Sequence, residues 1–378
     1  MRVLKLLLLS LSLFQPAAAF ADAGHQAFLD QTLADVRAKD QLPAAAVMIQ
    51  IDGKTVASSA QGLRAIGFPE AVSLRDRWHL GSDTKAITAT MIGRLVDKGL
   101  LRFDDRLQDL LPDLSETMDP AYRTVTLRQL LSHTGGLPPL TDDADLPEFK
   151  RIIAKSKSVQ AQRRAIASVY LAKPLASPVG EFSYSNIGYI VAGAIAERRT
   201  GKSWEDLVRQ EIFKPLGIHE SGFGLPGHAK KVDAPWGHRE SDGKLVALSP
   251  NDPEGQDPPA LGPAGTIHMT LADWMRFAQD QLDGVHGRGR LVSTKTYRIL
   301  HTPVSENYAL GWGVKLDGQG MPLLLTHSGS NGHWLADIRI MPKHNMIILF
   351  VSNAGNDAAN RAIMDIGKPL RDRLKPFD

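Results

Sequence analysis

No cysteine occurs among the 378 residues. That absence excludes a thiol nucleophile, disulfides, Cys-ligated zinc, iron–sulfur clusters and a thioether-linked lipid anchor. Any covalent catalysis must therefore use oxygen or nitrogen. Charge of one sign is also missing: 44 Lys and Arg face 41 Asp and Glu, a formal net charge of +3. Two of the positive charges, Arg2 and Lys5, fall in an N-terminal leader, and about +1 remains without them. Nothing in that balance supports a nucleic-acid partner. Beyond the leader no apolar run reaches the length of about 18 residues that a membrane helix needs, so no span is expected in the mature chain. Several catalytic signatures are lacking too. There is no G-x-S-x-G elbow and no H-E-x-x-H. Gly53-Lys54-Thr55 and Gly201-Lys202-Ser203 resemble P-loop tails, but the glycine required five residues earlier is Met48 and Ala196 respectively. No cofactor or metal is called for, and the acidic run Asp142-Asp143-Ala144-Asp145 reads as a solvated loop.

Overall composition is that of a globular chain, with 43% hydrophobic and 22% charged residues, which sets aside a disordered or coiled-coil rod. Residues 1–21 read as a secretory signal: the basic start, the apolar stretch Leu6 to Phe14, and the small-residue exit Ala19-Phe20-Ala21. The apolar stretch is too short to cross a bilayer core of about 30 Å. Cleavage before Asp22 and a periplasmic or secreted location are expected.

Strand signals cluster at both chain ends. Ala44 to Ile51 is a β-rich apolar run closed by the Asp52-Gly53 turn, and a second strand follows from Thr55. Leu310–Leu316, Leu323–Thr326, Ala336–Met341 and Met346–Val351 are similar runs separated by turn formers. Between the two groups the pattern is mainly helical: 84–95, 126–131, 187–197, 204–212, and 270–282 behind a capping-box-like Thr270-Leu271-Ala272-Asp273. A last helix is expected over 357–374. Segments 138–145 and 222–263, rich in Pro, Gly and Asp, read as long loops framing a cleft. The fold class is α+β. One antiparallel sheet is assembled from both chain ends (22–98 and 262–378) and flanked by helices, with a mostly helical region over 99–261.

Three local patterns could carry chemistry. Ser82 and Lys85, in Leu80-Gly81-Ser82-Asp83-Thr84-Lys85, stand one turn apart at the start of a helix. There the N-terminal amides favour an oxyanion, and a lysine of lowered pKa could deprotonate the serine. The ordinary alternative is a capping serine beside an exposed lysine. Tyr184 and Asn186 flank Ser185 at a helix entry. His327, Ser328, Gly329 and Ser330 end a strand, with Gly329 permitting close backbone approach to a ligand.

In this order and spacing the patterns resemble the serine-reactive β-lactamase/penicillin-binding superfamily, in the branch of class C β-lactamases, D,D-carboxypeptidases, D-aminopeptidases and β-lactamase-like esterases. The S-x-x-K, Y-x-N and H/K-x-G boxes are Ser82/Lys85, Tyr184/Asn186 and His327/Gly329. Leu130–Pro138, Gly262–Gly265 and Gly311-Trp312-Gly313 are similar supporting pieces, and the likeness runs from about residue 40 to 355. The resemblance implies that Ser82 is acylated, that Lys85 assists its deprotonation and that Tyr184 shuttles protons. It leaves open which of the two is the principal base. It further implies that Asn186 orients substrate and Lys85, that His327, Ser328, Gly329 and Ser330 bind substrate, and that the amides of Ser82 and Ser330 form the oxyanion hole. Under the same resemblance His133, although next to Ser132, belongs to a structural loop. His327 stands where many β-lactamases carry Lys, so it offers a permanent cation no longer. It is expected to protonate only near pH 6. The expected function is an exported serine hydrolase acting through an acyl-enzyme on a small ester, amide or D-amino-acid peptide. A true β-lactamase and a catalytically silent sensor domain are the alternatives.

Overall fold

The computed structural model describes residues 23–141 and 145–374. The leader, most of the Asp142–Asp145 run and the last four residues lie outside that range. The chain opens with a helix, Ala23–Lys39. Strands β1 (Ala44–Ile51) and β2 (Lys54–Gly62) form the expected hairpin, and β3 (Arg77–His79) leads into a tight turn and the helix Thr84–Asp97. Further on come β4 (Ser221–Phe223), β5 (Gly237–Ser241), β6 (Lys244–Leu248) and β7 (Ile267–Thr270). The C-terminal strands are β8 (Gly313–Leu316), β9 (Pro322–Ser330), β10 (Leu335–Met341) and β11 (Met346–Ser352), before the helix Asp357–Leu374.

One six-stranded sheet runs β2-β1-β11-β10-β9-β8, antiparallel at each pairing. Both chain ends build it, as the strand signals predict. Strand β1 lies inside this sheet, and its period of two divides it between two cores. Ala45, Val47 and Ile49 pack with Leu29, Leu33, Val36, Ile366 and Leu370 of the terminal helices. Ala44, Ala46 and Met48 face the larger core, which also takes Ile87, Met91, Ile190 and Leu349. With both faces covered, the strand reads as continuous apolar sequence.

The helix Thr84–Asp97 is buried on almost every side, which explains its few charges. Its threonines are satisfied in place: Thr84 Oγ1 accepts from Ile267 N–H at 3.1 Å, and Thr88 Oγ1 donates to the Pro263 carbonyl at 2.8 Å. β3 and β4 pair with β7 in a second, three-stranded sheet that fixes the entry to this helix.

Besides the first helix, which the sequence reading does not contain, three details differ from that reading. The 222–263 segment is not all loop, because β5 and β6 pair across an Asp242-Gly243 turn. The 204–212 helix changes to a π-helical turn over Arg209–Phe213. At Thr270 only half a capping box forms. Its hydroxyl accepts Asp273 N–H, but the Asp273 carboxylate turns to the backbone N–H groups of His219 and Glu220.

Leu349, fully buried in the larger core, supplies a stability test. Leu349→Ala should cost about 2–5 kcal/mol, whereas Met364→Ala, at a position 67% exposed, should change stability by less than about 0.5 kcal/mol. Urea unfolding of the two variants beside the parent checks both.

Candidate active site

Ser82 lies in the 3-10 turn Gly81–Asp83, directly before the Thr84–Asp97 helix. Lys85 follows one turn later and is fully buried rather than exposed. Its Nζ stands 3.0 Å from Ser82 Oγ, 2.7 Å from Asn186 Oδ1 and 2.7 Å from the Ala264 carbonyl. Two of these partners can only accept, and the third is a hydroxyl. A neutral amine offers two N–H donors and one lone pair, and that set matches the surroundings. Burial pushes the amine well below its ordinary 10.5, with Asp83 opposing. Asp83 itself is driven well above the usual carboxylate range by burial and by Asp337, against the opposing effect of Lys85. Asp83 is thus a weak counter-ion.

Tyr184 and Asn186 reach the same point because Ser185 caps the Asn186–Thr200 helix. The Ser185 hydroxyl accepts from Gly188 N–H at 3.1 Å and donates to the Pro138 carbonyl at 2.6 Å. Its two neighbours are thereby directed at Lys85. Asn186 is oriented by its other end, since Nδ2 donates to the Leu140 carbonyl at 2.8 Å. The Tyr184 ring centroid lies 4.7 Å from Lys85 Nζ. Burial raises the tyrosine's pKa, partly offset by Ser82.

The end of β9 completes the cleft. Gly329 does permit a close approach, but to the nucleophile's own turn: a Cβ there would stand 2.0 Å from the Leu80 carbonyl oxygen and 2.6 Å from Ser82 N. Gly81, at φ +49°, meets β9 from the other side, where a Cβ would fall 2.5 Å from Ser330 N. The backbone nitrogens of Ser82 and Ser330 therefore border one small space. Ser328 points elsewhere, its exposed hydroxyl donating to Asp337 Oδ2 at 2.7 Å, and the Ser330 hydroxyl accepts from Gly332 N–H at 2.9 Å.

His327 departs from the expected behaviour. Its Nδ1 is 3.0 Å from the Ser328 carbonyl, so Nδ1 carries the proton and Nε2 accepts from the Tyr308 hydroxyl at 3.1 Å. Burial, and then Lys85, lower its pKa to about 3. Protonation near pH 6 is thus corrected: the ring is neutral and both nitrogens are engaged. Tyr308 carries no motif signal, being brought to His327 only by the loop before β8. His133, in turn, accepts Ser185 N–H at Nδ1 (3.1 Å) and lies tilted against the Tyr184 ring, centroids 4.2 Å apart. Ser132 bonds Thr134 instead, so the adjacent Ser132 and His133 are no nucleophile–base pair.

Comparison with known proteins agrees with this architecture. The family model described as Beta-lactamase matches residues 29–368. Penicillin-binding protein 4 of Amycolatopsis lactamdurans is 31% identical over 336 residues, covering 85% of this chain and 83% of that protein. A class C β-lactamase from Rhodobacter sphaeroides superposes with a TM-score of 0.70 at 17% identity, over 90% of this chain and 98% of that one. A D-stereospecific amidohydrolase from Streptomyces sp. gives 0.68 at 21% identity, over 90% and 97%. The two superpositions establish the fold.

The buried state of His327 is open to measurement. Its imidazole ¹⁵N shifts, assigned by difference with His327→Gln, should stay those of a neutral ring from pH 8 to about 4. A titration near 6 would contradict the hydrogen bonding described. The sign for stability follows: the unfolded ring binds a proton below its ordinary 6.5, the folded ring only near 3. Its contribution is therefore full above 6.5 and is lost as pH falls towards 3.

Proposed function

We propose, because the chain belongs to the Beta-lactamase family, that it works through an acyl-enzyme on Ser82 and takes small esters or amides, D-amino-acid derivatives included, that bear no carboxylate beside the scissile bond. It is a serine hydrolase of that superfamily. Export, with removal of residues 1–21, is part of the proposal and rests on the leader sequence.

One observation carries this reading: the Lys85 amine, buried beside Ser82 Oγ at 3.0 Å with two carbonyl acceptors for its own N–H groups. A neutral amine held there takes the Ser82 proton as Oγ attacks the substrate carbonyl. The negative charge that develops on the carbonyl oxygen meets the Ser82 and Ser330 amides. Tyr184 retains its proton, since burial disfavours the phenolate, and passes it to the departing alcohol or amine. The Lys85 ammonium then passes the proton it took from Ser82 to the Tyr184 phenolate, which restores both groups while Ser82 stays acylated. Water enters the vacated place and the same groups run in reverse, releasing the acid and restoring Ser82. Lys85 is accordingly the principal base and Tyr184 the acid in acylation.

The restriction on substrates comes from His327. A permanent cation would contribute a charge-assisted hydrogen bond of about 1.5–3 kcal/mol to a carboxylate. The neutral ring, already bonded to Tyr308 and the Ser328 carbonyl, supplies no such bond. Uncharged substrates are favoured over carboxylated β-lactams and over peptides with a free C-terminus beside the scissile bond. Phe182, 49% exposed and 5.4 Å from Tyr308, adds an apolar surface on the same side.

Fluorophosphonate labelling followed by peptide mapping tests the roles. The wild type should take one adduct, on the peptide containing Ser82, and Ser82→Ala none. Lys85→Arg should label and turn over about 10²-fold or more slowly, because arginine keeps the charge but cannot give up its proton. An adduct elsewhere, or near-normal rates for Lys85→Arg, would refute the assignment.

A further inference from the structure

A second buried polar cluster lies behind the nucleophile's turn and shares no side chain with the Ser82–Lys85–Tyr184–Asn186 group. His79, the last residue of β3, is entirely buried, and its Nδ1 accepts Gly81 N–H at 3.2 Å. A ring nitrogen that accepts carries no proton, so the proton of the neutral imidazole sits on Nε2. Burial keeps the ring neutral down to about pH 3, and the Gly81 N–H selects this tautomer. Nε2 faces Asp257 Oδ2 at 3.4 Å, a long contact without hydrogen-bond geometry. The same carboxylate oxygen accepts from Asn331 Nδ2 at 3.0 Å. Asn331 is the residue after Ser330, and its own Oδ1 accepts His333 N–H at 3.2 Å. One carboxylate, from the segment between β6 and β7, thus touches both pieces of chain that border the space beside Ser82.

The spacing of those two pieces has no covalent control. Ser82 N belongs to the turn before a helix, Ser330 N to the end of β9, nearly 250 residues later. Their nearest approach is limited by backbone contact, since neither Gly81 nor Gly329 has room for a Cβ. Contact alone stops them from closing but not from separating. Two contacts of Asp257 act in the other direction: the hydrogen bond from Asn331 holds the strand end, and the electrostatic contact with His79, longer than a hydrogen bond, bears on the turn that His79 holds through Gly81 N–H. A displacement of about 1 Å at a reacting centre can cost 10²-fold in rate, so a device that limits separation has a large effect on the reaction.

We propose that Asp257, acting through His79 and Asn331, is the positioning residue that fixes the separation of the Ser82 and Ser330 amides and thereby sets how well a tetrahedral oxyanion is held. The proposal rests on the reading of Ser82 as the acylated nucleophile. It also gives the 249–258 segment, part of the 222–263 stretch read from sequence as framing the cleft, a direct hold on turnover.

The test compares wild type, Asp257→Ala, Asp257→Asn and Asn331→Ala. The readouts are kcat and KM for a p-nitrophenyl ester, the inhibition constant of an alkyl boronic acid that forms a tetrahedral adduct with a serine, and the melting temperature. Asp257→Ala should lose about 10- to 10²-fold in kcat and a similar factor in boronate affinity, while KM shifts by less than about twofold. Asp257→Asn keeps an acceptor oxygen for Asn331 and should recover part of the loss. A merely structural role would lower the melting temperature without separating boronate affinity from KM. Asn331→Ala, at a partly exposed position, should give the same pattern more weakly and decides the matter if Asp257→Ala does not fold. Unchanged kcat and boronate affinity in the folded variants, or a change in KM alone, would overturn the proposal. If wild-type Ser82 takes no fluorophosphonate, it is the nucleophile assignment that fails. If it is labelled and the variants match wild type, only the positioning claim fails.

Discussion

Lys85 carries a primary amine to a place with no water-accessible surface, and the groups around it are those a neutral amine can satisfy. An ammonium without a close counter-ion would be costly there. With two carbonyl oxygens accepting and one hydroxyl opposite, the uncharged form meets no such cost. Each partner comes from a different region: Ser82 from the turn after β3, Asn186 from the entry of the Asn186–Thr200 helix, Ala264 from the short helix Gly262–Gly265. The chemistry of one nitrogen therefore depends on how sheet, helical region and a Gly/Pro turn pack together.

That packing rests on buried polar bonds as much as on apolar area. The Gly262–Gly265 turn is held against the central helix by Thr88 Oγ1 on the Pro263 carbonyl, and Trp204 Nε1 donates to the same hydroxyl at 3.1 Å. Arg163, with no exposed surface, ties the Pro259 and Ala260 carbonyls to Glu197 and Glu205. A buried charge of this kind is tolerated only when its partners are all present. The effect is to hold the 258–265 stretch, and with it the Ala264 acceptor, in one place.

Much of this was legible from residue patterns. The strands at both ends and the central helix announce themselves by period and by turn formers, and Ser82, Lys85, Tyr184 and Asn186 stand in the order and spacing that brings them together. Other parts were hidden for physical reasons. The first helix does have Leu29, Leu33 and Val36 at helical spacing, but it adjoins the leader and has polar neighbours all round. The hairpin over 237–248 is short and sits among Pro and Gly, so its Asp242-Gly243 turn gives the same signal as a loop. The states of His327 and Lys85 are legible only in part, as a lysine of lowered pKa and a ring that is no permanent cation, without their cause or extent. They depend on burial and on distant partners, Tyr308 and Ala264, that no local spacing reveals. His79 is hidden for a similar reason: three residues from Ser82 in sequence, it acquires meaning only through Asp257.

The central claim is that Lys85 is a neutral base at ordinary pH. It is tested most directly by the pH dependence of the acylation step alone, read as the burst of p-nitrophenol from an ester between pH 4 and 11. The account predicts an acid limb governed by Lys85 that ends well below its ordinary 10.5, with full acylation rate by pH 8. A rate that keeps climbing by about tenfold per pH unit from 8 to beyond 10 would show that the amine is protonated at rest, and would contradict it.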